Sequence, residues 1–215
     1  MKLIQCLLDL IFPPKCPFCG RVLERYEQGM CERCQPVLPW TDGKNDPVEF
    51  CDVSLSPLRY RDGVREAMHR FKFLRGQEHG DLFGVLMAQC LRDRLDETAD
   101  AVVWVPLSRR GLRRRGYDQA ELLARRVAEE MGLPLLPVLE KVRDTSVQSS
   151  IKGDSARRAN VVGAYRVRAG VDLTGKHVVL VDDVVTSGAT LSECALCLRL
   201  AGAANVYALT FARAK

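Results

Sequence analysis

The run His177–Val181, HVVLV, sets the strongest limit on how this chain can fold. Consecutive apolar residues without polar alternation suit a strand buried on both faces, and such strands belong to parallel sheets covered by helices. AVVWVP, from Ala101, reads as a second short strand stopped by Pro106, LPLLPVL as a third, and NVYALTFA as the last. Between them, VREAMHRFKFLRG up to Gly76, DLFGVLMAQCLRDRL, YDQAELLARRVAEEMG and ATLSECALCLRLAG up to Gly202 have helical spacing. In the third helix Leu122, Leu123, Val127 and Met131 share one stripe, and Gly132 stands where the helix should stop. Strands alternating with helices define an α/β fold with a mostly parallel sheet, whose ligands bind beyond the carboxyl ends of the strands.

A second constraint lies near the front. Cys16 and Cys19 in KCPFCG, and Cys31 and Cys34 in MCERCQ, form two C-x-x-C hooks eleven residues apart. Two such hooks place four thiolates around one tetrahedral Zn²⁺, and with no position left open the site is structural. Cys6, Cys51 and Cys90 have no such partners, and Cys194 and Cys197 lie three apart on a helix with no second pair, which suits apolar packing. Gln35–Phe50 carries three prolines among turn formers and reads as a linker. The expected division is therefore residues 1–50 for an N-terminal helix, zinc module and linker, and 51–215 for the main domain. A length of 215 residues suits one full core and a small module.

Hydrophobic content of 47% and charged content of 27% exclude disordered and membrane-embedded classes. The opening MKLIQCLLDLIFPP is interrupted by Gln5 and Asp9 and is followed by no small-residue cleavage site, so a short docking helix is expected rather than an export signal. Nine cysteines without export imply a reducing, cytoplasmic setting with no membrane span. The net charge of +5 is uneven: RRGLRRRG, Arg109–Gly116, holds five arginines and no acid. Such a face calls for an anionic partner, either phosphate on a small molecule or a nucleic-acid backbone.

After HVVLV come Asp182 and Asp183, expected at the rim of the crevice, where two carboxylates can accept hydrogen bonds from vicinal hydroxyls or hold Mg²⁺ through water. Thr186, Ser187, Gly188, Ala189 and Thr190 follow, with Gly188 permitting a tight turn and the hydroxyls and helix-start N–H groups able to surround a phosphate. A diol reader beside a phosphate cradle suits a sugar phosphate. His69, His79 and His177 lie outside these motifs, so no general base is assigned.

The order VVLVDDVVTSGAT resembles the phosphoribosyl diphosphate signature of type I phosphoribosyltransferases. The resemblance implies that Asp182 and Asp183 meet the ribose hydroxyls and that Thr186–Thr190 hold the 5-phosphate. It also implies that Leu107, Ser108, Arg109 and Arg110, in VPLSRRG, form the diphosphate loop. With the C-x-x-C hooks ahead of them, VPLSRRGLRRRGYDQAELLA, VRDTSVQSS, RRANVVGAY and DDVVTSGAT together resemble the ComF family. Arg143, Thr145, Gln148 and Arg157 match the mobile hood loop of amidophosphoribosyltransferases, a lid that closes on ligand. The resemblance implies phosphoribosyl diphosphate with Mg²⁺ as ligand, single-stranded DNA and a DNA-uptake helicase or other competence proteins as candidate partners, and a cytoplasmic protein. Three functions stay open: a phosphoribosyltransferase of unknown acceptor, a single-stranded DNA-handling protein, and a metabolite sensor without catalysis. RRGLRRRGY and RFKFLR offer basic residues among aromatics for a strand, although Phe71, Phe73 and Tyr117 are expected in the core.

Overall fold

The computed structural model describes residues 13–42, 47–73, 76–145 and 159–214. Its centre is a five-stranded sheet in which β1 Val53–Leu55, β7 Asn205–Arg213, β6 His177–Val185 and β3 Ala101–Trp104 lie side by side in that order. β2 Leu58–Arg59 also pairs with β7, and every pairing in this sheet is parallel. The helices are α1 Asp62–Phe73, α2 His79–Arg94, α3 Arg109–Arg115, α4 Gln119–Met131 and α5 Ala189–Leu200. β4 Leu139–Lys141 and β5 Tyr165–Val167 form a separate antiparallel ribbon.

The unbroken HVVLV run is explained by two cores. Val179 and Val181 point to one side of the sheet with Tyr207, Leu209 and Phe211, where Phe71, Phe83 and Leu123 of α1, α2 and α4 cover them. Val178 and Leu180 point to the other side with Val206 and Ala208, covered by Leu191 and Leu198 of α5 and Tyr165 of the ribbon. A period of two on a strand covered on both faces writes itself as a continuous apolar stretch, and each large side chain buried there contributes about 1.5–3 kcal/mol.

LPLLPVL does not form the strand expected of it. Leu135 alone bridges to Val102, and β4 begins only at Leu139. Pro134 and Pro137 have no N–H to extend a ladder. The linker is more than a tether: Leu38 enters the first core and Val48 the second.

The zinc module packs directly on the main domain. Phe18 is 3% exposed and lies 6.1 Å, centroid to centroid, from Phe83 of α2. Arg70 Nη1 of α1 donates to the Pro17 carbonyl at 2.5 Å. Gly63 lets α1 approach, since a Cβ there would stand 3.2 Å from the Phe18 carbonyl oxygen. The expected N-terminal helix lies outside the described residues, and among those described no helix is long and apolar enough to cross a membrane.

Candidate functional site

The metal cluster assembles from two tight turns. Gly20 N–H donates to the Cys16 carbonyl at 2.8 Å and Cys34 N–H to the Cys31 carbonyl at 3.0 Å, so each hook curls its thiols inward. Glu27 braces the loop between them, accepting from the Glu24 and Glu32 amides at 2.8 and 3.0 Å and from the Arg21 guanidinium. All four sulfurs lie within 4.8 Å of one another, and Cys19 and Cys31 are 3.7 Å apart. Tetrahedral zinc with Zn–S bonds of about 2.3 Å requires sulfur separations of about 3.8 Å, so the residues fit the ion.

The carboxylate pair sits inside the strand rather than after it. β6 continues through Asp182 and Asp183 to Val185, still paired with β7, whereas β3 leaves it at Val181. Among the described residues no strand pairs with the last four residues of β6 on that side, and the crevice opens there. Asp183 meets Lys72 of α1, whose Nζ donates to Oδ1 at 2.8 Å. Asp182 Oδ1 accepts the Asp183 amide at 2.7 Å. Burial, with the Asp183 charge beside it, pushes the Asp182 carboxyl up to about 8.

The Thr186–Thr190 turn leads straight into α5. Gly188 has φ 77° and caps the helix, and any Cβ there would press on Val48 Cγ2 at 3.3 Å. Only glycine suits both demands. Ser187 Oγ is buried and has no hydrogen-bond partner among the described residues. A hydroxyl left so beside the start of a helix fits an incoming anion. Asp182 and Thr190 line both the small hollow of about 30 Å³ at this turn and a larger cavity of about 220 Å³ beside it.

The larger cavity gathers residues from distant parts of the chain. Leu107 and Ser108 form one wall, and Ser108 Oγ caps α3 by accepting the Gly111 amide at 3.1 Å. Arg109 and Arg110 instead stand exposed on the first turn of α3. Arg114 and Arg115, one turn further on, reach the cavity in their place. Thr145 lines it and accepts from Lys141 Nζ at 2.9 Å, while Arg143 points away, donating to the Val162 carbonyl at 2.7 Å. Gln148 and Arg157 lie outside the described residues. Neither His69, His79 nor His177 lines the cavity.

Sequence reading missed Lys72, Asp118, Lys141 and Tyr165. Lys141 lies 5.0 Å over the Tyr165 ring, and burial lowers its ammonium below the usual lysine range. Asp118, 9% exposed, caps α4 through Oδ1, which accepts the Ala120 amide at 3.1 Å, and holds the Leu107 amide with Oδ2 at 2.8 Å. One buried carboxylate thus ties the loop after β3 to α4. Phe73, expected in the core, is 54% exposed. Successive helical residues turn about 100°, so Phe71 and Phe73 point to different sides and only Phe71 is buried.

The phosphoribosyl transferase domain model matches residues 73–215, and the double zinc ribbon model matches residues 7–60. DNA utilization protein YhgH of Salmonella typhimurium is 31% identical over 201 residues, covering 89% of this chain and 86% of that protein. Competence protein F of Haemophilus influenzae is 28% identical over 209 residues, covering 94% and 85%. Competence protein ComFC of Bacillus subtilis is 27% identical over 199 residues, covering 92% and 77%. With a four-sulfur cluster ahead of a parallel sheet that carries paired aspartates and a glycine-capped hydroxyl turn, the chain belongs to the phosphoribosyl transferase domain family, among its zinc-ribbon-bearing ComF members.

Proposed function

We propose that this protein binds phosphoribosyl diphosphate with Mg²⁺ and transfers its phosphoribosyl group to an acceptor nitrogen. The reading rests on one observation: Asp182 and Thr190 join the hollow at the Thr186–Thr190 turn to a cavity that also holds Asp183 and a cationic wall of Lys72, Arg114, Arg115 and Lys141. Residues 51–215 would form the catalytic domain and 1–50 the zinc module with its linker. Asp182 and Asp183 accept hydrogen bonds from the ribose hydroxyls, and the turn with its unpartnered Ser187 hydroxyl receives the 5-phosphate.

The diphosphate lies against Leu107 and Ser108 of the Leu107–Arg110 loop, where Arg114 and Arg115 offset its charge. The C1–O bond breaks with its electron pair leaving on diphosphate, and the lone pair of the acceptor nitrogen forms the new C1–N bond, after which that nitrogen gives its proton to water or to the departing diphosphate. Mg²⁺, when bound, supplies further neutralisation of the leaving group. Arg143, Thr145, Gln148 and Arg157 belong to the segment that would close over the sugar and exclude water.

Calorimetric titration tests binding directly: phosphoribosyl diphosphate with Mg²⁺ should bind, and ribose 5-phosphate should bind more weakly. Transfer is tested by diphosphate release with nucleobases and amines. Absence of binding by either sugar would sink the reading. Asp118 offers a finer check. Asparagine at that position keeps the α4 cap through its carbonyl but turns an N–H toward the Leu107 amide, opening the loop. Asp118→Asn should lower stability by about 1–2 kcal/mol and weaken the diphosphate-bearing ligand by about tenfold, with ribose 5-phosphate hardly affected.

The names of the relatives, DNA utilization protein and competence proteins, support a second reading in which the protein handles single-stranded DNA. That activity would weaken steeply as salt rises, because phosphate contacts release counterions.

A further inference from the structure

Beside the sugar cavity runs a wider groove of about 1040 Å³, between the end of α1 and the end of α3. The two meet at Lys72, Arg114 and Arg115, which line both. The groove has two features that neither the fold nor the cavity accounts for.

The first is an exposed aromatic platform. Phe73, 54% exposed, holds its ring 5.1 Å from that of His69 one turn earlier. The Arg115 guanidinium lies 5.3 Å from the Phe73 ring centre. Exposing a phenyl ring of this size wastes apolar area that α1 buries elsewhere through Phe71. The second is unneutralised charge. Arg113 and Arg114 are exposed on the last turn of α3, and no carboxylate of the described residues pairs with either. Arg115 donates to Gln119 Oε1 at 2.6 Å, yet its Nε is buried without a partner among the described residues. One carboxylate, Glu78, lines the groove, 3.9 Å from His79 Nε2.

A flat ring flanked by guanidinium groups recognises a ligand that is itself aromatic and anionic. We propose that this groove is a second ligand subsite and that it takes a nucleotide, with the base stacked on Phe73 and the phosphate against Arg113 and Arg114. The subsite is contiguous with the sugar cavity, so a nucleotide held there faces the position proposed for phosphoribosyl diphosphate. This much rests on the proposed function; the binding of the nucleotide does not. A free nucleotide and one unit of a single strand present the same base and phosphate.

Phe73 and Arg113 line the groove and not the cavity, which makes the subsite separable. Binding of dAMP, deoxyadenosine and an eight-residue deoxyadenosine oligonucleotide to the native chain is measured by calorimetry, alongside phosphoribosyl diphosphate with Mg²⁺. Stacking is worth about 1–3 kcal/mol per base, so Phe73→Ser should weaken the phosphorylated probes by about tenfold or more. Phe73→Trp should restore them, and Arg113→Gln should weaken them and flatten their salt dependence. Deoxyadenosine should bind least.

An affinity that climbs with strand length marks a strand as the source, and equal affinity for dAMP and the oligonucleotide marks a free nucleotide; both support the subsite. Nucleotide binding unchanged in Phe73→Ser and Arg113→Gln, or none by a native chain that binds phosphoribosyl diphosphate, overturns it. A native chain that binds nucleotides through Phe73 but not phosphoribosyl diphosphate keeps the subsite and defeats the proposed function instead.

Discussion

Asp182→Asn/Asp183→Asn should bind phosphoribosyl diphosphate about 100-fold more weakly than the native chain, or worse. Above pH 8, where Asp182 is ionised as well, each aspartate would be a charged acceptor for a ribose hydroxyl, worth about 1.5–3 kcal/mol against about 0.5–1.5 kcal/mol for the neutral amide oxygen that asparagine keeps. Exchanging two charged acceptors for neutral ones costs about 2–3 kcal/mol, where about 1.4 kcal/mol is tenfold in affinity. Calorimetry reads the change, and circular dichroism checks that β6 and its neighbours persist. Unchanged affinity would remove the aspartates from the site.

The unliganded fold should respond in the opposite sense to the single change Asp182→Asn. Its carboxyl is held above the ordinary aspartate range, to about 8, chiefly by burial and then by Asp183. A group raised on folding favours the native state fully below its unfolded value near 4, and that contribution is lost as pH rises towards 8. Asparagine has no proton to lose. The melting temperature of Asp182→Asn should therefore match the native chain near pH 4 and exceed it by several degrees at pH 8. Such a gain would show a carboxylate kept in the crevice at the expense of stability, as binding residues often are.

What could be read in the sequence was whatever the chain writes locally. Zinc hooks need only short spacing, and a doubly covered strand needs only consecutive apolar residues, so Cys16, Cys19, Cys31, Cys34 and Val178–Val181 were legible. So was the glycine at position 188, because the turn into α5 is a property of neighbouring residues. The remainder of the crevice was not local. Lys72 meets Asp183 across 111 positions, and Asp118 holds Leu107 through a loop that has no pattern of its own. Lys141 arrives on a ribbon strand of three residues, too short to show a period. Arginines 109 to 115 look alike as letters, and only the helical turn decides that Arg114 and Arg115 face inward while Arg109 and Arg110 do not. LPLLPVL misled because apolar content is shared by strands and by chain that merely crosses a core, and its prolines decide the matter.

Removing zinc should damage the front of the molecule and spare the crevice. The sulfurs form the centre of a module with few large buried side chains of its own: Cys16 and Cys31 are 1% and 0% exposed, and Phe18 and Leu38 complete their core only by joining that of the main domain. A module of this size cannot hold its turns by apolar burial alone, and structural zinc in small peptides contributes about 10–16 kcal/mol of apparent binding energy. Cys31→Ser, or a chelator, should therefore cut zinc from one ion per chain to near zero by atomic emission. It should lower the melting temperature by about 10 °C or more, as a loss of several kcal/mol at about 2–4 °C each implies. Proteolysis should then begin between residues 13 and 42. Because no side chain of the 220 Å³ cavity comes from that stretch, affinity for phosphoribosyl diphosphate at a temperature below the new transition should change little. A zinc-free chain that melts like the native one would deny the cluster its structural role. A zinc-free chain that stays folded from β1 to β7 but loses the ligand would show that Phe18, through α1 and α2, sets the position of Lys72.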